Sequence, residues 1–287
     1  MLACLFVSDL HGLLSRYDKL FNLIVSEIPR AVFIAGDILP SGMFMRYQTS
    51  DIDGDFIDDY LAYNLRLIRN KLNDRYPDIY LIFGNDDPRI EEQRFIEYDE
   101  EGLWHYMHTR KKVLEEFIIY GYACVPPTPF MLKDWERYDV SRYLDPLASS
   151  PEEGSRTVAV NSHRVRFGTI KEDLEHLAGN DDLSTAVFLF HTPPYNSKLD
   201  LGDLDGKMVD HVPLDPHLGS IAVERFIKSR QPWLTLHGHI HESTRLTGSW
   251  QELWGRTIMF NGAHDGPELA VIRFDLKNPA SATREII

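Results

Sequence analysis

Short apolar runs alternate along this chain with longer stretches in which apolar residues recur at helical spacing. The run Ala3 to Ser8 predicts a first strand, after which Leu13, Tyr17, Leu20, Phe21, Ile24 and Ile28 fall on one helical face. Pro29 stops that helix, because proline cannot continue the hydrogen-bond ladder. Ala31 to Ala35, closed by Gly36, predicts the second strand. The acidic stretch Asp51 to Asp59 opens a helix whose buried stripe is Ile57, Leu61, Leu65, Ile68 and Leu72. Carboxylates in a first turn suit the positive end of the helix dipole. Ile79 to Phe83 reads as the third strand, and Arg89 to Glu116 as helix and surface connection.

Farther on, Leu114 to Tyr120 predicts another strand, while the prolines of CVPPTPF exclude a regular central strand behind it. Lys133 to Ser155 reads as a long exposed loop, with strand signals resuming at Thr157. A strand (Ala186 to Phe190), a glycine- and proline-bearing loop (His191 to Gly219), a helix (Ile221 to Arg230) and a strand (Trp233 to Leu236) follow. Thr257 to Phe260 and Leu269 to Phe274 read as antiparallel strands completing a second sheet. This alternation argues for an α/β layer architecture. The 287 residues suffice for one large core. We expect a single domain over 1–287 with surface insertions at about 40–75 and 121–155.

Each of five apolar runs ends in a side chain that binds metal ions. The strings are ACLFVSDLHG, AVFIAGD, IYLIFGNDD, AVFLFH and LTLHGHIH, and they deliver Asp9 and His11, Asp37, Asn85, His191, and His237 and His239. A buried parallel strand presents its C-terminal end to the mouth of a sheet in this way. Taken singly, each residue has a plain explanation. A lone His at a strand end is more often structural, Asp9 could cap the next helix, and Asp37 could serve a turn. None of these explains why every cluster closes an apolar run. Carboxylate, imidazole and amide oxygen together suit Mn, Fe or Zn. Asp9 and His11, two apart, point to one side of an extended strand end, as do His237 and His239. Asp37 has two oxygens with which to bridge two ions.

Composition narrows the partners. The formal charge of −14 opposes extended binding of DNA or RNA. It leaves room for a small phosphate ester, because bound cations reverse the local field. Cys4 and Cys124 sit among apolar neighbours and are expected to be buried free thiols. The first apolar run is too short for a secretory signal, and 18 consecutive apolar residues occur nowhere. A cytoplasmic protein with no membrane span is therefore expected. DIDGD at 51–55 is a poor calcium loop: its glycine is one place early and the distal Glu is missing. His241 stands one step beyond the pair and reads as a supporting or structural residue. His105 and His108 read as solvated, and Trp135, Tyr138 and Tyr143 as packing residues. His264 and Asp265 read as turn residues.

The set Asp-x-His, Gly-Asp, Gly-Asn-Asp, His and Gly-His-x-His, running from Asp9 to His239, resembles the calcineurin-like metallophosphoesterase superfamily. The resemblance implies a two-sheet β-sandwich flanked by helices, in four layers α/β/β/α. It also implies two divalent metal ions, one held by Asp9, His11, Asp37 and His239, the other by Asp37, Asn85, His191 and His237. A hydroxide bridging them would attack phosphorus in line with the leaving oxygen. Many members carry Gly-Asn-His where this chain has Asp86 in GNDD. An aspartate is a poor proton donor at neutral pH unless a neighbouring carboxylate such as Asp87 raises its pKa. The alternatives are an enzyme that prefers good leaving groups or one that borrows an acid such as His211, His217 or His264. The segment GDILPSG lacks the arginine of the phosphoprotein phosphatases, which tilts the reading toward phosphodiesters or small phosphorylated molecules. The expectation is a dinuclear phosphodiesterase with Asp86, His191 and Asn85 acting on the substrate. The rival readings are a phosphomonoesterase and a non-catalytic metal-binding scaffold of the same fold.

Overall fold

The structure, a computed structural model, describes residues 2–41, 54–204 and 206–287. In chain order its elements are β1 (Ala3–Val7), α1 (Leu14–Glu27), β2 (Ala31–Ala35), α2 (Tyr63–Leu72), β3 (Asp78–Ile82), α3 (Glu92–Glu100), β4 (His105–Tyr106), β5 (Arg110–Leu114) and β6 (Phe117–Tyr122). They continue with α4 (Ser162–Phe167), α5 (Ile170–Ala178), β7 (Ala186–Phe190), β8 (Met208–Val209), β9 (Val212–Pro213), α6 (Ile221–Arg230), β10 (Leu234–His237), α7 (Ser243–Thr247), β11 (Gln251–Trp254), β12 (Thr257–Asn261), β13 (Ala270–Asp275) and β14 (Asn278–Ile286).

Two six-stranded sheets form the centre, in the orders β14-β13-β1-β2-β3-β4 and β11-β12-β10-β7-β6-β5. They pack face to face, with β2 and β3 against β7 and β3 also against β6. β1 to β4 run parallel, joined by helical crossovers. β6, β7, β10 and β12 run parallel in the second sheet. Helices α1 and α2 pack together beside the first sheet, and α5 and α6 beside the second. The result is an α/β sandwich of helix, sheet, sheet and helix. β2 and β7 are buried along their whole length, as strands covered on both faces must be, and this is why they read as unbroken apolar runs. Edge strand β5 instead carries exposed Arg110, Lys111 and Lys112, charges that discourage edge-to-edge pairing.

The helical stripes fall where the spacing puts them. Tyr17, Leu20, Phe21 and Ile24 are buried on α1, and Ile28 closes it in a left-handed cap whose N–H bonds Ile24 O at 3.1 Å. Ile57, Leu61, Leu65, Ile68 and Leu72 are all buried along a π-helical stretch, Phe56–Ala62, that runs on into α2. Asp55 caps that stretch, accepting from the N–H groups of Ile57 and Asp58. Positions 51–53 of the acidic segment lie outside the described residues. Cys4 and Cys124 are buried free thiols.

Five expectations are corrected. The C-terminal strands divide between the sheets: β12 lies parallel to β10 in the second, whereas β13 pairs antiparallel with β1 in the first. The segment 89–116 holds a short helix, α3, and the strands β4 and β5, and 110–122 is a hairpin turning at Glu115 on left-handed backbone (φ 52°). No strand resumes at Thr157. Its N–H and hydroxyl go to the Asp134 carboxylate, at 2.9 and 2.5 Å, so a side chain takes the groups a ladder would use. The stretch Lys133 to Tyr138 is buried instead of exposed, around a Lys133–Glu136 ion pair of 2.6 Å. His108 is buried, its Nδ1 accepting the N–H of Ala123 at 3.1 Å, and His105 ion-pairs with Asp78 and Asp99.

Candidate metal centre

The ends of β1, β2, β3, β7 and β10 open on one edge of the sandwich. The backbone there is strained: Asp9 (φ 55°), His11 (φ 48°), Asp37 (φ 50°) and His239 (φ 72°) all lie in the left-handed region. That conformation costs an L-residue about 1–2 kcal/mol, and clusters of it mark functional sites. It persists because the turns after β1 and β2 clamp each other. Asp9 N–H bonds Gly36 O (3.0 Å), His11 N–H bonds Asp37 O (2.7 Å), and Gly12 N–H bonds Ile38 O (2.9 Å). Curling the chain in this way turns the Asp9, His11 and Asp37 side chains into one space.

There Asp9, His11, Asp37 and His241 bring ligand atoms within 4.8 Å of one another. His241 Nε2 stands 3.2 Å from Asp9 Oδ1 and 3.3 Å from His11 Nε2. Next to this group, His191 Nε2 lies 3.2 Å from Asp37 Oδ2 and 3.1 Å from Asn85 Oδ1. His191 Nδ1 faces Ala35 O at 2.7 Å, which fixes the tautomer that presents Nε2 to the site. The Asn85 amide donates to Asp86 Oδ1 at 3.0 Å, so its oxygen faces His191. The His239 ring packs against that of His191, centroids 5.0 Å apart, and the backbone N–H of His239 reaches both Asp9 oxygens at 3.1 and 3.2 Å.

The histidine register differs from the expected one. His237 is the last residue of β10 and is fully buried. Its Nδ1 pairs with Thr192 O at 2.9 Å, its Nε2 with the Thr235 hydroxyl at 2.7 Å, and its ring stacks on Phe190. With both nitrogens engaged there, the residues at the cluster are His239 and His241. The Gly-His-x-His string fits this frame directly, as Gly238, His239, Ile240 and His241; no glycine precedes His237. Glycine is required at 238, where a Cβ would fall on the Ser8 hydroxyl.

The electrostatics follow from burial and from opposite charges held close. Burial works against ionising Asp9 and Asp37, but the neighbouring imidazoles hold both below the usual carboxylate range, Asp37 at about 2. Burial likewise opposes a charge on His191, yet the Asp37 carboxylate beside it raises its pKa to about 10. Burial keeps His11 (about 4) and His239 (about 3) neutral, the form in which imidazole binds metal. Asp86 is pushed up to about 7, by burial and then by the Asp37 charge. Asp87 has a different part: its carboxylate takes the N–H groups of Ile38, Leu39 and Gly84 and braces the loop that carries Asp37.

The family model for calcineurin-like phosphoesterases matches residues 3–243 of this sequence. The chain belongs to that family. No curated protein matches it. Among solved structures, one crystal structure aligns over 99% of this chain and 98% of its own at 19% identity and a TM-score of 0.57. The protein TT1561 of Thermus thermophilus aligns over the same shares at 16% identity and a TM-score of 0.54. A structure described as a novel archaeal phosphodiesterase has 9% identity and a TM-score of 0.44, over 99% of both chains. The first two likenesses speak for the fold alone.

The side chains of this family member fit divalent cations. Two ionised carboxylates, imidazole nitrogens and an amide oxygen are the mixed donors that Mn, Fe and Zn accept. Sequence reasoning passed over two residues here. His241 was set aside by the two-residue shift of the histidine pair. Arg16, on α1, gave no signal, because its position falls among polar helix residues. Its buried guanidinium holds the carbonyls of Asp9 and Gly266 and so ties the turn after β1 to the loop after β12.

A cleft of about 720 Å³ opens above the cluster, with Asp37, Asn85, His239 and His241 at its floor. Its walls come from residues within 126–130, 139–148 and 212–221, with Tyr195, Leu204 and Val209. Tyr143 lines it, while Trp135 and Tyr138 are buried packing residues. His217 also lines it, with Nδ1 on Asp200 at 2.8 Å. His264 bonds Glu268 at 3.2 Å and is not among the lining residues.

Proposed function

We propose that this protein is a phosphoesterase that works with two divalent cations and hydrolyses phosphodiesters of small molecules. The observation that carries the reading is the convergence of Asp9, His11, Asp37 and His241 ligand atoms within 4.8 Å at the floor of a cleft. One cation would be held by those four residues and the other by Asp37, Asn85, His191 and His239. When bound, the cations would supply Lewis acidity toward the phosphoryl oxygens and a water acidic enough to ionise at neutral pH.

The chain's own groups set the rest. Asp37 sits between the two donor sets and is the natural bridge. The Ala35 carbonyl orients His191, and Asp86 orients Asn85. Asp86 is the one carboxylate of GNDD whose side chain reaches the surface, at 18% exposure, and it stands where many members place a histidine. We assign it the proton that the leaving oxygen needs.

Two features favour a diester over a monoester. Among the described residues no Lys or Arg lines the cleft, so nothing there offsets the second charge of a monoester. The segment after Asp37 has no arginine before Gly42. The test is to reconstitute metal-free protein with manganese, count bound ions, and compare turnover of bis-p-nitrophenyl phosphate and p-nitrophenyl phosphate. Two ions per chain and faster diester turnover are expected. Faster monoester turnover overturns the diester assignment, and bound ions with no turnover of either ester favour the scaffold reading.

A further inference from the structure

The cleft is far more apolar than a phosphate alone requires. Above the candidate ligands its walls are built from Pro126, Phe130, Leu147, Val212, Leu214 and Leu218, with carboxylates at Asp145 and Asp215. The same walls run out to an apolar rim. Phe130 is 46% exposed, Tyr143 75% and Val212 62%, and Met208, on the same hairpin as Val212, is 61% exposed. Met208 and Val212 belong to β8 and β9, a two-stranded hairpin turned by Asp210 (φ 48°) and His211 (φ 67°). That is the two-residue turn whose twist suits a hairpin. A hairpin of this size is marginal in water, and exposed apolar side chains do nothing for it there. Contiguous exposed apolar surface beside a polar floor marks a binding site.

Charge selects the occupant. Walls bearing carboxylates and no described Lys or Arg repel a polyanion, whereas a single phosphodiester charge would be offset by the cations that the residues at the floor would hold. Building on the reading above, we infer that the substrate is an amphiphilic phosphodiester whose alkyl chain lies along the apolar walls and emerges past the β8–β9 hairpin.

Two series on the manganese-loaded full-length protein test this. In the first, kcat/KM is measured for methyl, butyl and octyl p-nitrophenyl phosphate below their micellar concentrations. A buried methylene is worth up to roughly fourfold, so kcat/KM is expected to climb about two- to fourfold per methylene until the cleft is filled. In the second, the anions dimethylphosphinate, butyl(methyl)phosphinate and methyl(octyl)phosphinate, whose two carbon substituents are bonded directly to phosphorus and which therefore carry one charge and no ester bond, are titrated calorimetrically, and affinity is expected to rise in parallel. Val212→Ser and Leu218→Ser should each lower the octyl-to-methyl ratio in both series. A flat chain-length dependence in the titration overturns the inference even if esters are hydrolysed. Affinity that rises with chain length while no ester is hydrolysed supports the cleft assignment and defeats the catalytic reading instead. Sedimentation gives the remaining alternative. If the rim joins two copies of this chain, and Val212→Ser breaks the dimer but leaves the octyl-to-methyl ratio intact, the inference falls.

Discussion

Asp37 Oδ2 stands 3.2 Å from His191 Nε2, and this contact spans the two sheets: Asp37 follows β2 of the first and His191 follows β7 of the second. The site is therefore an interface product, complete only when the sheets are docked. Asp37→Asn keeps the shape and removes the bridging charge. It should lower metal affinity by more than the 10- to 100-fold typical of outer partners and bring turnover to background. Metal analysis after dialysis, with the diester assay alongside, checks this. Retained ions and turnover would refute the bridging role.

The histidine register gives a discriminating set. His239→Ala and His241→Ala should each lose bound metal. His237→Ala should keep its metal stoichiometry but lose stability, because Thr192 O and the Thr235 hydroxyl are left without partners, at about 1–3 kcal/mol each. Urea denaturation and metal counting on the three variants separate the two registers, and loss of metal from His237→Ala alone would restore the original one.

What could be read from the sequence has a physical boundary. Strands β1, β2, β3 and β7 announce themselves because burial on both faces forces unbroken apolar runs, and Asp9, Asp37, Asn85 and His191 follow directly from where those runs stop. The last run misled, because His237 is itself the end of β10: an imidazole stacked on Phe190 looks like any other strand-end ligand until its partners are seen. Buried polar networks were also hidden. Lys133, Glu136 and His108 carry the composition of a surface loop, and only the hydrogen bonds that satisfy them reveal an interior. The pairing of β13 with β1 could not be read, since either sheet offers an apolar edge to such a strand.

Gly84 is held free of a side chain by the site itself, for a Cβ there would fall on Asp37 Oδ1 and lie 2.6 Å from His191 Cε1. Gly84→Ala should therefore displace the Asp37–His191 contact and weaken metal binding about 10- to 100-fold, in the range of outer-partner changes. Competition with a chelator measures it. Unaltered affinity would mean that the turn relaxes without moving Asp37.

The cleft wall depends on a buried ion pair. Lys133 Nζ reaches Glu136 Oε2 at 2.6 Å and Thr128 O at 2.8 Å, and Glu136 also takes the N–H and hydroxyl of Thr128. Lys133→Met leaves a buried carboxylate without its cation, a loss of about 3–5 kcal/mol. Since Thr128 lines the cleft, protease sensitivity at 126–132 should rise and KM for the octyl diester with it. Lys133→Met with an unchanged melting temperature would remove the ion pair from the account of the wall.

Acid sensitivity should have a contribution from His108, far from the cluster. Burial, with the charges of Arg89 and Arg137, holds its imidazole neutral and its pKa well below 6.5, while Nδ1 accepts from Ala123 and the ring meets Trp135 edge-on at 4.8 Å. In the unfolded chain the same imidazole titrates near 6.5. Below that pH the unfolded state binds a proton that the folded state refuses, so stability falls as pH drops. The contribution is complete above about pH 6.5 and is lost below it at up to about 1.4 kcal/mol per pH unit. His108→Gln keeps an acceptor for the Ala123 N–H and removes the titration. Urea denaturation of metal-free protein between pH 5 and 7.5 should then show a shallower decline for the variant than for the wild type, and parallel curves would mean that His108 takes up its proton without unfolding.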